Sequence, residues 1–242
     1  MSAATAAGAI LLTGSPTNLT AVVPFDAGAE RSVPVSLTVE GASTIYRGAL
    51  RPHGRGQSEV RLRLPADTPP GRYDGEATFD GKPRRVYVEV EPVVRVRVQP
   101  KQSVVSGAAG TSVSLALNVV NSGNTGVEIP QIDAFDLDDA SGQDRALGRA
   151  LRAQLASGES RVERFFDEMR ADHGGEARVS VKRGSGLLAP GESRELSANV
   201  ELPDTLNAGR TYEGSWLIGN DAHLIVVTVP VASRPRNGRT KP

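Results

Sequence analysis

The sequence predicts a mainly β protein: two tandem antiparallel β-sandwiches, the second carrying an inserted αα-hairpin. Three observations lead there. Apolar and polar residues alternate in short runs, as in Val33, Val35, Leu37 and Val39 and again in Val113, Leu115, Leu117 and Val119. That is the period of a half-buried strand. Glycine and proline are frequent, 26 and 16 of 242 residues, which suits many short strands joined by turns. One pattern also occurs twice. Leu50-x-Pro52, Leu64-Pro65, Gly71-Arg72 and Tyr73-Asp74-Gly75 return as Leu188-x-Pro190, Leu202-Pro203, Gly209-Arg210 and Tyr212-Glu213-Gly214, at an offset of 138 until Thr211 is added.

The first module is expected over residues 9–91. Ala9–Leu12 is a short apolar run suited to a first strand. Ser32–Val39 alternates clearly, and Pro34, which cannot donate to a ladder, points to a free edge near it. Thr44–Leu50 is a further strand. In Glu59–Leu64, Val60, Leu62 and Leu64 face inward and Arg61 and Arg63 outward. Asp67-Thr68-Pro69-Pro70-Gly71 is a turn cluster. Tyr73–Phe79 and Arg85–Val90 form a hairpin through Asp80-Gly81, a favoured turn pair.

Glu91-Pro92 marks the boundary to a second module over 92–233. Val94, Val96 and Val98 alternate with Arg95 and Arg97, and Val113–Val119 repeats the pattern of Val33–Val39 at an offset of 80. Asn121-Ser122-Gly123-Asn124 is a turn. Leu196–Leu202, Tyr212–Ile218 and Leu224–Val231 close the module. Residues 234–242, with Arg234, Arg236, Arg239 and Lys241, are expected to be a disordered basic tail. The offsets of 80 and 138 leave 58 additional residues between Val119 and Leu188, and much of that addition predicts helix, at about 142–174. Leu147, Leu151 and Leu155 recur every four positions from Asp144 to Ala156, an amphipathic pattern. Ser160 and Glu163 fit a capping box. Val162, Phe165, Phe166 and Met169 then form one apolar face, and Gly174-Gly175 supplies a stop.

Leu188-Ala189-Pro190-Gly191-Glu192-Ser193, the alternating strand to Glu201-Leu202-Pro203, then Ala208-Gly209 and Tyr212 resemble the immunoglobulin-like modules of the NEW3 and CARDB kind. Upstream, Ser106–Gly110 and the Val120–Asn124 turn belong to the same resemblance. Arg63-Leu64-Pro65-Ala66-Asp67 and Pro70-Gly71-Arg72-Tyr73 carry it more loosely in the first module. The helical insert departs from that pattern. The resemblance implies tandem immunoglobulin-like sandwiches and an accessory, non-catalytic role in prokaryotic exported and cell-envelope proteins.

Composition excludes several chemistries. With no cysteine, disulfides and thiolate metal sites are ruled out. Formal net charge is zero and aromatic content 4%, which removes the electrostatic and stacking basis for a nucleic-acid surface. No apolar run is long enough for a membrane-spanning helix. Met1–Leu12 lacks a basic n-region and is a poor signal peptide as it stands. There is no Gly-x-Ser-x-Gly, His-Glu-x-x-His or phosphate-binding glycine loop, so no enzyme and no cofactor are expected. His53, His173 and His223 are scattered and read as surface histidines.

The metal reading is none. The residues weighed for calcium are Asp133, Asp136, Asp138 and Asp139, in an acidic stretch leading towards Asp144. Their spacing misses the EF-hand loop, with Ala140 at a ligand position and Ser141 where glycine is required. The alternative is an acidic loop entering a helix. Arg72 and Arg210 each follow a turn glycine and read as strand starts.

The expected function is a non-catalytic structural or protein-interaction component of a prokaryotic envelope or extracellular assembly, with export favoured over a cytoplasmic location. Docking is expected through strand edges and the insert. Its partner-binding residues are Val162, Phe165, Phe166 and Met169, at helix-in-groove spacing, and its partners are other protein subunits, further copies of the chain included. The alternatives are an accessory carbohydrate-binding module, with Trp216, Tyr46, Tyr73, Tyr87 and Tyr212 on offer, or a periplasmic chaperone-like protein.

Overall fold

The computed structural model describes residues 9–24, 27–39, 42–54, 56–79, 81–153 and 160–231. The tail expected at 234–242 lies outside them. The chain is mainly β and divides into two compact units. One is the chain up to Arg95 with Asn121–Val127 and Leu188–Glu192. The other is Val96–Val120, Glu128–Leu187 and the chain from Ser193.

Seven strands build the first unit: β1 (Ile10–Ser15), β2 (Asn18–Val23), β3 (Arg31–Val39), β4 (Ala42–Gly54), β5 (Gln57–Leu62), β6 (Gly71–Phe79) and β7 (Lys82–Val90). They run in the order β1-β2-β5-β4-β3-β6-β7, and β7 returns to β1, so the ladder closes into a barrel. The sequence predicts two separate sheets. The difference lies in β4, thirteen residues long, which pairs with β3 through its first part and with β5 through its second. The other closure is parallel, from Ile10 opposite Val86 to Gly14 opposite Val90. The alternating residues point inward as expected. Val33, Val35, Leu37, Val60, Leu62, Val86 and Val88 are buried together with Leu12, Leu19 and Leu50. Pro34 lies on a strand paired on both sides, but the ladder from β3 to β6 begins only at Val35.

The second unit, with Asn121, Val127 and Leu188 at the margins of its strands counted to the first, contains β8 (Val96–Gln99), β9 (Gln102–Ser106), β10 (Ser112–Asn121), β11 (Val127–Ile129), β12 (Ile132–Asp139), α1 (Gly142–Arg152), α2 (Arg161–Ala171), β13 (His173–Arg183), β14 (Gly186–Leu188), β15 (Ser193–Glu201), β16 (Thr211–Ile218) and β17 (Asp221–Thr228). Its main sheet runs β8-β10-β15-β13-β12-β16-β17-β9, and β11 pairs with β14. From β10 to β9 this is the order of the first unit strand for strand: β2-β5-β4-β3-β6-β7-β1. The parallel contact recurs as well, from Leu224 opposite Gln102 to Thr228 opposite Ser106.

The duplication is therefore structural, but the strand ladders correct its register. Leu19 pairs with Leu62 on β5 as Val113 pairs with Val200 on β15, so β10 is the counterpart of β2. The counterpart of β3 is β12: Thr38 pairs with Asp74 and Asp138 with Glu213. The match of Val33–Val39 to Val113–Val119 does not hold. Period-two alternation marks every half-buried strand and carries no register information of its own. Leu50 likewise corresponds to Val181, since each faces the matching residue of β5 or β15, and Leu188 sits on β14.

The Tyr-x-Gly repeat does hold. A Cβ on Gly75 would overlap the Ser36 carbonyl oxygen, and one on Gly214 the Asp136 carbonyl oxygen. Each glycine lets β6 or β16 lie close on its neighbour. The Tyr73 hydroxyl donates to the Pro69 carbonyl at 2.7 Å, and the Tyr212 hydroxyl accepts from the Asn207 amide at 2.9 Å. In both units a tyrosine at the start of the strand ties it to the preceding turn.

Candidate functional site

Both helices lie between β12 and β13, where the first unit passes directly from β3 to β4 across residues 40–41. The capping box at the start of α2 is formed: the Ser160 hydroxyl accepts from the Glu163 amide at 3.0 Å, and the Glu163 carboxylate accepts from the Ser160 amide at 2.9 Å. These bonds, the backbone one foremost, hold the Glu163 carboxyl below its usual range. α2 ends at Ala171, and Gly174 and Gly175 belong to β13. Gly174 is not a helix stop. A Cβ there would meet the Leu137 carbonyl and the Tyr212 ring, so glycine is set by packing.

The amphipathic leucines of α1 are not what the hairpin buries. α1 turns Ala146 and Ala150 inward and leaves Leu147 and Leu151 49% and 59% exposed. Leu155 lies outside the described residues. On α2, Val162 and Phe166 are 64% and 53% exposed, while Phe165 and Met169 are half-buried. The Phe165 and Phe166 rings are tilted against each other, centroids 5.6 Å apart. Small residues inside bring the backbones together and push the leucines outward.

Charge occupies the space between and beneath the helices. Glu168 pairs with Arg149 and, at 2.6 Å, with Arg164. Arg161 donates to the Ala150 and Leu151 carbonyls at 3.0 and 2.7 Å, satisfying carbonyls left open at the end of α1. At the base, Arg145 pairs with Asp139, Arg149 with Asp172, and Arg210 donates to Asp139 at 3.1 Å and Asp172 at 2.9 Å. Burial alone would raise the Asp172 carboxyl, but hydrogen bonds from Arg210 and Arg149 and their charges hold it below its usual range. Arg210 is thus more than the start of a strand. Arg72, which answers to Arg210 in the sequence repeat and to Thr211 in the strand ladders, lies 4.2 Å over the Tyr87 ring.

The stretch weighed for calcium is strand β12 rather than a loop. Its inward positions are Phe135, Leu137 and Asp139, and Asp136 and Asp138 face outward. Asp133 accepts from the Trp216 indole at 2.9 Å, and Asp139 is neutralised by arginine. The four carboxylates are divided between two faces and do not converge. Among the described residues no group of three or more histidine, cysteine or acidic side chains is arranged to hold a metal ion.

The histidines divide. His53 is exposed, and His173 lies 3.0 Å from Asp138. His223 corrects the surface reading. It is fully buried, with Nδ1 2.9 Å from the Pro100 carbonyl and Nε2 3.0 Å from the Ser103 hydroxyl. Burial pushes its pKa down. Of the aromatic residues weighed for sugars, Trp216 and Tyr212 are buried, and Tyr46, Tyr73 and Tyr87 are half-buried.

Sequence reasoning missed the ion network. A usable signal was present: Asp139 stands at an inward position of an alternating strand, where an acid requires a buried partner.

No known protein family matches the chain, and no curated protein does. Solved structures give low-scoring likenesses. A titin A168–A169 fragment is 12% identical over 93% of this chain and 97% of its own, with a TM-score of 0.32. The DIP-gamma IG1+IG2 structure is 11% identical over 93% and 96%, at 0.33. Domains 4 and 5 of the S-layer protein SbsC are 14% identical over 88% and 82%, at 0.28. Scores this low do not assign a fold or a function.

Proposed function

We propose that the chain is a non-catalytic structural and interaction protein of a prokaryotic envelope or extracellular assembly, built from two immunoglobulin-like modules at 9–91 and 92–233. Support for the module type comes from the strand order shared by the two units, the parallel contacts of β1 with β7 and of β9 with β17, and the tyrosine hydroxyls bonded back to the preceding turn. The observation that carries the interaction role is the hairpin. An ion network anchors its base, while Leu147, Leu151, Val162 and Phe166 stand exposed. With Phe165 and Met169 beneath them, Val162 and Phe166 form the docking face.

The test is capture of native partners on immobilised chain, comparing wild type with Phe166→Asp and Leu151→Asp. Both residues are exposed, so the fold is retained. Loss of the captured partners supports the reading, and unchanged capture by both variants removes the hairpin as the docking element.

A further inference from the structure

The two units carry opposite charge on one outward sheet face each. On the first unit, β4, β5 and the residue after β5 present Arg47, Arg51, Arg61 and Arg63 around Ala49, lining a shallow groove of about 310 Å³. Arg51 pairs with Glu30 at 2.9 Å and Arg61 with Glu59 at 2.8 Å. Arg47 and Arg63 are both exposed, and their side chains have no hydrogen bond or ion pair among the described residues. Two of four guanidinium groups are uncompensated.

On the second unit, β12, β13 and β16 present carboxylates. Asp136 pairs across the ladder with Glu176, and Asp138 with Glu213. Directly opposed like charges destabilise a sheet, and here two such pairs adjoin. Beside them lie His173, near Asp138 and Asp136, and one arginine, Arg178, two residues beyond Glu176 on the same strand. Asp136 and Asp138 are 72% and 77% exposed. The zero net charge of the chain thus conceals a segregated pattern. Arginine forks match carboxylates bidentately, and neither face offers an exposed aromatic ring for stacking a base or a sugar.

We propose that the chain associates head to tail with further copies of itself, the arginine face of the first unit of one copy docking on the carboxylate face of the second unit of the next. Such a contact is heterologous, so it propagates into an open row unless the rotation closes. The proposal rests on the reading of the chain as an interaction protein and names the partner as a second copy.

Sedimentation velocity on the full chain tests it, at about 20 mM and about 500 mM salt, where screening differs several-fold in range. Concentration-dependent assembly at low salt that dissolves at high salt is expected. Arg47→Glu with Arg63→Glu, and Asp138→Lys with Glu213→Lys, each weaken assembly at least about tenfold. An equimolar mixture of the two variants recovers a 1:1 complex, because each supplies the face that the other has lost. If a reversed pair fails to fold, Arg47→Gln with Arg63→Gln and Asp138→Asn with Glu213→Gln replace them, with the loss alone as readout. A wild-type chain that stays monomeric at low salt overturns the proposal. So does assembly that survives in both variants, or a mixture of folded reversed variants that stays monomeric. Phe166→Asp separates this idea from the hairpin reading: it leaves the assembly intact, and loss of assembly in that variant assigns the contact to the hairpin instead.

Discussion

Arg210, immediately before β16, donates at 2.9 Å to Asp172, the residue that follows α2. The same guanidinium reaches Asp139 at the end of β12. Three chain segments far apart in sequence are joined at one charge.

Asp172 accepts from two arginines that each keep a second acid, Glu168 for Arg149 and Asp139 for Arg210, so its removal leaves neither arginine unpaired. Asp172→Ala is therefore expected to destabilise the second unit by about 1.5–3 kcal/mol, the worth of a hydrogen bond to a charged group, with loss of hydrogen-exchange protection across α1 and α2. The duplicated arginine gives the control. Arg72 is exposed over Tyr87, where a cation–π contact is worth about 0.5–1 kcal/mol, so Arg72→Ala is expected to cost under about 1 kcal/mol. Equal losses in chemical denaturation would contradict the division of roles between the two arginines.

The same network sets an acid limit. Asp172 is held below its ordinary 3.8 by its arginines. Its contribution is present in full above that value and is lost as pH falls through the lower folded value. Urea midpoints measured from pH 5 down to pH 2.5 are expected to fall more steeply for wild type than for Asp172→Asn.

His223 acts in a higher window. Its folded pKa is depressed below 6.5 by burial, so the unfolded chain binds the extra proton first. Stability is complete above about pH 6.5 and declines as pH falls below it. His223→Gln is expected to flatten that slope between pH 7 and pH 5, and an unchanged slope would exclude this histidine as its source.

Gly75→Ala and Gly214→Ala test the shared strand contact. Each new methyl overlaps a carbonyl oxygen of the neighbouring strand, and overpacking of this kind costs about 1–3 kcal/mol. Thermal unfolding should show similar losses for both. A neutral result at either position would mean that the close approach is not required.

Much of the fold is legible in the sequence where alternation is strict and flanked by turn residues, as in β3, β5–β7 and β15–β17. Register is less so. Val33–Val39 resembles Val113–Val119 because any half-buried strand does, and only the ladders show that β12 is the counterpart of β3. β12 itself was obscured by its aspartates, which suggest a loop until Phe135 and Leu137 are seen to alternate with them. β2 and β9 are short and rich in small or polar residues, with little periodicity to read. The helices were legible through Ser160, Glu163 and the leucine spacing. Their buried face was not, because Ala146 and Ala150 carry little hydrophobic signal and the remaining contacts are ionic. Which of Val162, Phe165, Phe166 and Met169 stand exposed depends on that packing.

The parallel strand contact of each unit has a mechanical consequence. In each unit, β1 with β7 and β9 with β17, the two strands run side by side in the same direction. Tension applied at the start of one strand and at the end of the other pulls the two past each other along their length. The hydrogen bonds between them are then loaded together in shear, and none is peeled open before its neighbours. Each unit is built as a lap joint, strongest along the direction in which a chain in series would be stretched.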